Sequence, residues 1–277
     1  MDAIFRGGTN MEWEGAANGF AELSVLSRKG EPGFIDKAAR LARAVGLAAI
    51  ESIWTTRCII CDTPGDTLCP SCRLRLPYID RWMACPRCGS PHGSLQCVSC
   101  NSFSLAEVER TDTPFERCVS AIEYRGMARS IVTGYKDAGE RRLSADMAHL
   151  MANAIPRSWQ TAKPALTYIP ADKAARRRRG FDHMSLVADE LARQTGLSRV
   201  KLLEKLPASD QRGLGRAQRF ENMAGSIRIA AGTRSMPECV IVADDVYTTG
   251  ATLFAACDAL KAAGAQRVLC ITFARVP

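Results

Sequence analysis

No run of apolar residues approaches the ~18 that a membrane-spanning helix needs; the apolar stretch at 44–50 is only seven residues long. The opening MDAIFRGGTNMEWEG has no basic head followed by an apolar run, the pattern of a secretory signal. Both absences set the expectation of a cytoplasmic chain with no membrane span. Aromatic residues are scarce, at 6%. The basic loops hold only Phe181 and Phe220, a thin stacking platform for a dedicated single-strand binder. No side chain stands out as a covalent nucleophile or a general base. What is present is a globular balance, 47% apolar and 24% charged over 277 residues, which excludes a wholly disordered chain. The length suits one ordinary domain with an appendage.

Cysteine, in contrast, is plentiful, at 12 residues. Four C-x-x-C pairs fall within 43 residues: Cys58/Cys61, Cys69/Cys72, Cys85/Cys88 and Cys97/Cys100. Each pair can fold into a knuckle that points two thiolates at one ion, and two knuckles complete the tetrahedral shell of a structural Zn²⁺. Gly89 suits the turn behind such a knuckle. Disulfides fit poorly in a chain expected to be cytoplasmic, and iron–sulfur clusters usually take a different spacing. Two structural zinc ions are therefore expected. Consecutive pairing is the simpler arrangement, an interleaved cross-brace stays open, and His92 is a substitute ligand to consider. Cys118, Cys239, Cys257 and Cys270 lack pair spacing and read as small core residues.

The net charge of +8 is unevenly spread: residues 1–54, 55–103 and 104–277 carry −1, +2 and +7. Two zinc–tetrathiolate centres would turn the middle segment negative. The basic surplus thus lies in the last segment and suits nucleic acid or any polyphosphate ligand. Three regions follow: a mobile N-terminal tail and amphipathic helix over 1–54, a zinc module over 55–103, and an α/β region over 104–277. In the first, mixed three- and four-residue spacing predicts a helix over 36–54. In the last, strands are predicted at 117–124, 165–170, 200–203, 226–229, 239–243 and 268–273. Helices are predicted at 127–136, 143–155, 182–194 and 251–263. Residues 171–179 read as a basic loop, and 205–224 as a long flexible segment. Strands alternating with helices imply a mostly parallel sheet covered on both faces.

Residues 240–252 read VIVADDVYTTGAT. An apolar strand ends in Asp244 and Asp245. The turn Thr248-Thr249-Gly250-Ala251-Thr252 then opens a helix. Backbone N–H groups at a helix N-terminus, with hydroxyls and a glycine beside them, form a cradle for a phosphate. Carboxylates just before it are placed for the hydroxyls of a ribose, so a ribose 5-phosphate moiety fits. The site lies at the carboxyl end of a parallel strand, where such sheets bind ligands.

This stretch resembles the phosphoribosyl pyrophosphate (PRPP) motif of type I phosphoribosyltransferases. In order and spacing, the eight cysteines, EYRGMARSIVTGYKDAGERRLSADMA, RRRRGFDHMSLVADELA, QRGLGRAQRFENMAGSIRI and the PRPP motif resemble the ComF/ComFC competence-protein family over residues 40–277. Where that family usually has Asn-Gln after Arg-Gly-Phe, this chain has Asp182 and His183. The resemblance implies a type I phosphoribosyltransferase-like parallel sheet flanked by helices and preceded by a double zinc ribbon. It implies that Asp244 and Asp245 hold the ribose, and that Thr248, Thr249, Gly250 and Thr252, with Ala251 in the same turn, hold the 5′-phosphate. Ala171, Asp172 and Lys173 would form the pyrophosphate loop. A hood over 205–224 would bring the catalytic candidates Arg212, Arg216 or Arg219 over the substrate, and Mg²⁺ would bridge pyrophosphate and ribose oxygens. The implied activity is phosphoribosyl transfer to an unspecified acceptor, with a cellular part in DNA uptake and natural transformation. The alternative is a catalytically silent nucleotide sensor or single-stranded-DNA-binding protein on the same fold, with Arg176 to Arg179, Arg212, Arg216 and Arg219 tracking the strand; the same arginines otherwise serve the phosphates of PRPP. Single-stranded DNA and DNA-uptake proteins are the partners so implied.

Overall fold

The computed structural model describes residues 55–206 and 215–277; the expected helix over 36–54 lies outside them. Among the described residues the elements run in chain order: α1 (Pro70–Leu74), α2 (Ser102–Ala106), β1 (Arg117–Glu123), α3 (Met127–Lys136), α4 (Leu143–Ala154) and α5 (Arg157–Thr161). Then follow β2 (Ala165–Tyr168), α6 (Lys173–Arg179), α7 (His183–Thr195), β3 (Ser198–Arg199), β4 (Leu203–Lys205), α8 (Arg216–Met223), β5 (Ile227–Ile229), β6 (Cys239–Tyr247), α9 (Ala251–Ala262) and β7 (Arg267–Arg275).

Five strands form one sheet in the order β1-β7-β6-β2-β3, every pair parallel. β4 and β5 form a separate antiparallel pair. The central strands are apolar on both faces, as a sheet covered twice requires. Along β6, Ile241 and Ala243 join one apolar layer and Val240 and Val242 the other. Along β7, Leu269, Ile271 and Phe273 alternate with Val268 and Cys270 in the same way. The first layer is filled from α3, α4 and α7 by Ile131, Tyr135, Met147, Met151, Val187 and Leu191. The second is filled from α9 by Leu253, Phe254, Cys257 and Leu260. Side chains of this size each contribute about 1.5–3 kcal/mol when fully buried. No helix among the described residues is long and apolar enough to cross a membrane.

The cysteine-rich segment straddles edge strand β1. Cys58, Leu68, Cys72 and Leu76 belong to the first apolar layer, while Cys85 and Cys88 belong to the second. The turn after Cys88 is docked on β1, with the Cys118 N–H donating to the Arg87 carbonyl at 2.8 Å. A Cβ at Gly89 would lie 2.7 Å from the Cys118 carbonyl oxygen, and φ there is +67°, so glycine is needed on both counts.

Three segments differ from their sequence reading. Residues 171–179, expected as a loop, contain helix α6. Asp172 caps it by accepting from the Ala175 N–H at 2.7 Å, Gly180 ends it in the left-handed region, and Ala and Arg are strong helix formers. The segment expected to be flexible over 205–224 contains helix α8, whose Phe220 and Met223 pack into the second layer. Instead of one strand over 200–203, β3 ends at Arg199 and β4 begins at Leu203.

Candidate functional site

Two groups of four cysteines converge in space: Cys58, Cys61, Cys69 and Cys72, and Cys85, Cys88, Cys97 and Cys100, the sulfurs of each within 4.8 Å of one another. Pairing is therefore consecutive. A tetrahedral shell with Zn–S of ~2.3 Å has sulfurs about 3.8 Å apart. The contacts Cys61–Cys69 (3.6 Å), Cys85–Cys100 (3.6 Å) and Cys88–Cys97 (3.5 Å) match that edge. Hydrogen bonding to the Cys100 and Cys85 sulfurs drives the Cys88 thiol far above its ordinary value, and burial adds to this. Cys100 is pushed up to about 12, chiefly by Cys85. Four thiols so close ionise together only around a cation, so both groups fit a structural zinc ion. Thr67 and Arg73 near the first site bind Asp146 on α4, each at 2.5 Å. His92 joins neither group and faces Glu123 at 3.6 Å. Cys118, Cys239, Cys257 and Cys270 are buried.

The second feature is a carboxylate pair at the carboxyl end of β6. Asp244 and Asp245 are 8% and 5% exposed, and the Asp245 N–H donates to Asp244 Oδ1 at 2.9 Å. They line a cavity of about 260 Å³ together with Lys136, Ile169, Pro170, Ala171, Asp172, Ala175, Arg178, Arg179, His183, Lys205, Val246 and Thr252. Asp245 is ion-paired to Lys136 and lies 2.8 Å from His183 Nε2. Burial works to raise its carboxyl, but the Lys136 ammonium and then the His183 ring outweigh burial and hold it well below the usual carboxylate range. Asp244 is pushed up to about 7 by burial and by the adjacent Asp245 charge, although Lys136 and Lys205 act in the opposite sense. One carboxylate is thus firmly ionised and the other titrates near neutrality. The Arg179 Nη1 lies 3.4 Å from His183 Nδ1. A guanidinium only donates, so Nδ1 accepts, and in the neutral ring Nε2 carries the proton toward Asp245.

Of the residues predicted for the site, Asp244, Asp245, Thr252, Ala171 and Asp172 line this cavity. Lys173 opens α6 beside it and is exposed. Thr248, Thr249 and Gly250 form the turn into α9, with Gly250 at φ +91°. A Cβ there would meet the Tyr247 ring at 2.6 Å. Ala251 begins the helix, its N–H 3.5 Å from Thr249 Oγ1. Arg216 donates to the Ser99 carbonyl at 2.8 Å and is not in the cavity lining; Arg219 lies on the same helix. Arg212 lies outside the described residues. Sequence reasoning missed Lys136 and His183 as partners of Asp245; Lys205, read as the start of the hood, and Arg178 and Arg179, read as serving either a DNA strand or the phosphates of PRPP, are neighbours in the same cavity. Asp182, at the other position that departs from the usual pattern, caps α7 and also lies 3.4 Å from the Ala171 N–H.

A parallel sheet with helices on both faces, a carboxylate pair ending a central strand and a glycine-opened helix next to it define a type I phosphoribosyltransferase-like protein. No family model matches the chain. It is similar to the adenine phosphoribosyltransferase of Kineococcus radiotolerans, 32% identical over 149 residues that cover 51% of this chain and 78% of that protein. It is also similar to the competence protein ComFC of Bacillus subtilis, 25% identical over 224 residues that cover 80% of this chain and 89% of that protein. The chain belongs to the phosphoribosyltransferases by its likeness to the first of these, and its two four-cysteine groups together with the match over most of its length make it similar to the ComF/ComFC competence-protein family.

Proposed function

We propose that the cavity binds the ribose 5-phosphate part of PRPP and supports its transfer to an acceptor. The observation that carries this reading is the buried Asp244–Asp245 pair, one turn ahead of the N-terminus of α9, in a cavity that also holds Lys136, Arg178, Arg179 and Lys205. In this reading Asp244 and Asp245 accept hydrogen bonds from the ribose hydroxyls, and Thr248, Thr249, Gly250, Ala251 and Thr252 hold the 5′-phosphate at the helix N-terminus. Ala171, Asp172 and Lys173 take the pyrophosphate, and Arg212, Arg216 and Arg219 belong to the hood. Mg²⁺, if bound with PRPP, would supply positive charge that eases the departure of the pyrophosphate. Phosphoribosyl transfer breaks the C1–pyrophosphate bond while the acceptor's nucleophile attacks C1. Positioning of the sugar and neutralisation of the departing pyrophosphate by Arg178, Arg179 and Lys205 supply the rate. Arg178 and Arg179 line the same cavity as the carboxylates, which favours a compact polyphosphate over an extended DNA strand at this place. The part in DNA uptake, in the cytoplasm and with DNA-uptake partners, rests on the likeness to a competence protein.

Calorimetry with ribose 5-phosphate and PRPP in Mg²⁺ tests the assignment. Replacing both Asp244 and Asp245 by Asn removes their charge at nearly constant shape and is expected to abolish binding while the far-ultraviolet circular dichroism stays unchanged. Unchanged affinity in that variant would move the ligand elsewhere. Pyrophosphate release with and without trial acceptors then separates turnover from sensing.

A further inference from the structure

Arg275, the last residue of β7, is 1% exposed. A guanidinium taken out of water persists only where negative charge and acceptors replace its hydration. Its Nη1 lies 3.4 Å from the Thr248 carbonyl oxygen and its Nη2 lies 3.8 Å from Cys88 Sγ. Its central carbon lies 3.5 Å from the centroid of the Tyr247 ring, while its Nε has no partner. No carboxylate is among these contacts. Glu123, opposite Arg275 in the β1–β7 register, is engaged by Arg125 at 2.8 Å and faces His92 at 3.6 Å.

One buried cation therefore touches two places that the sequence keeps far apart. On one side is a sulfur of the second four-cysteine site. On the other are Tyr247 and Thr248, which begin the turn into α9. The ring of Tyr247 in turn fills the space that a Cβ at Gly250 would need, so the position of that ring sets the path of the turn.

We propose that Arg275 is a positioning residue that ties the second cysteine site to the phosphate turn. With zinc in place, the four thiolates form a net negative shell, the counter-charge that this guanidinium otherwise lacks. Held by that shell, Arg275 fixes the Thr248 carbonyl and the Tyr247 ring, and so the backbone that presents N–H groups at 248–252. The functional consequence rests on the reading of that turn as the phosphate site. The coupling is reciprocal: whatever loosens the thiolate shell loosens the turn, and loss of Arg275 weakens the hold on zinc. The first cysteine site packs in the opposite apolar layer and is tied to Asp146, and among the described residues no such link joins it to the turn.

The test compares the zinc-loaded full chain with Arg275→Met, Arg275→Lys, Cys97→Ser in the second site and Cys61→Ser in the first. Amide hydrogen exchange over 248–252 and zinc release to a colorimetric chelator are read without ligand, and ribose 5-phosphate affinity is read with Mg²⁺. Losing a hydrogen-bonded buried charge is expected to raise exchange in the turn by about tenfold or more in Arg275→Met. Cys97→Ser raises exchange in the same amides, and Cys61→Ser leaves them as in the wild type. In Arg275→Met one of the two zinc ions leaves about tenfold faster, and affinity for ribose 5-phosphate falls by a similar factor. Arg275→Lys lies between, because an ammonium keeps the charge but cannot both bridge and stack. Should Arg275→Met not fold, Arg275→Lys and the two cysteine variants decide the matter. Wild-type exchange in the turn for both Arg275→Lys and Cys97→Ser overturns the link. A wild-type protein that binds no ribose 5-phosphate overturns the phosphate reading instead, and the exchange data still decide the role of Arg275.

Discussion

Shifting the pH from 6 to 8 perturbs the carboxylate pair without changing the sequence, and the structure fixes the sign of two separate responses. Asp244 is pushed up to about 7 by burial and by its Asp245 neighbour, with Lys136 and Lys205 pulling the other way. Asp245 stays ionised throughout, since Lys136 and His183 hold it low against burial. A ribose hydroxyl donates to a carboxylate, so binding selects the ionised form of Asp244. About a tenth of Asp244 is ionised at pH 6 and about nine-tenths at pH 8, so affinity for ribose 5-phosphate with Mg²⁺ should rise about tenfold, or about 1.4 kcal/mol. Stability without ligand must move the opposite way. A carboxyl whose pKa is raised on folding binds more protons folded than unfolded, so its contribution is fully present below the unfolded value and is lost as pH rises through about 7. The slope is at most about 1.4 kcal/mol per pH unit inside that window. Calorimetry and thermal melts in the same buffers at pH 6, 7 and 8 measure both. The ligand's phosphate also titrates near ~6, and His183 sits beside the pair, so Asp244→Asn is run in parallel. That variant should lose both Asp244 responses and be more stable than the wild type at pH 8. Superimposable profiles for the two proteins would refute the argument.

Two further outcomes follow from the charged groups around the fold. Metal analysis of protein purified without added zinc should find about two zinc ions per chain, and Cys61→Ser should lose one of them; a value near zero, or iron with a visible chromophore, would remove the zinc assignment. Replacing Lys136 by Met leaves Asp245 buried with His183 as its remaining partner, and should destabilise the chain by about 3 kcal/mol in urea melts, as expected when one side of a largely buried ion pair is removed.

Some of the fold and site was legible because its signal is contiguous. In residues 239–252 the apolar run, the two aspartates and the Thr-Thr-Gly turn follow one another, so strand, carboxylates and helix start could be read together. The structure extends that strand through Asp245 to Tyr247, which places the carboxylates on the strand itself. The cysteine knuckles are equally local. Their pairing was not legible, because the spacing within each pair fits consecutive and interleaved sites alike. The fold decides it by placing the two sites in opposite apolar layers. Helix α6 was missed because four consecutive arginines look like a solvated loop, and the signals that override this are single residues, Asp172 before it and Gly180 after it.

The rest of the site was hidden for a different reason. Lys136 ends α3, Arg178 and Arg179 end α6, His183 begins α7 and Lys205 ends β4. Arg178 and Arg179 stand in a basic run that suggests an anionic ligand without saying which, and the others are ordinary polar residues at the ends of their elements. Only the parallel sheet brings those ends together around the carboxyl end of β6, so their common purpose is a property of topology and not of any window of sequence. The same holds for Arg275. From the sequence it is a basic residue near the end of the chain, where exposure is the natural expectation. Burial is enforced because β7 lies between β1 and β6, and the acceptors that make burial tolerable come from the cysteine-rich segment and from the turn after β6. A segment expected to be only a structural appendage thereby supplies a contact to the only buried arginine among the described residues, on the floor of the turn where the phosphate is proposed to bind.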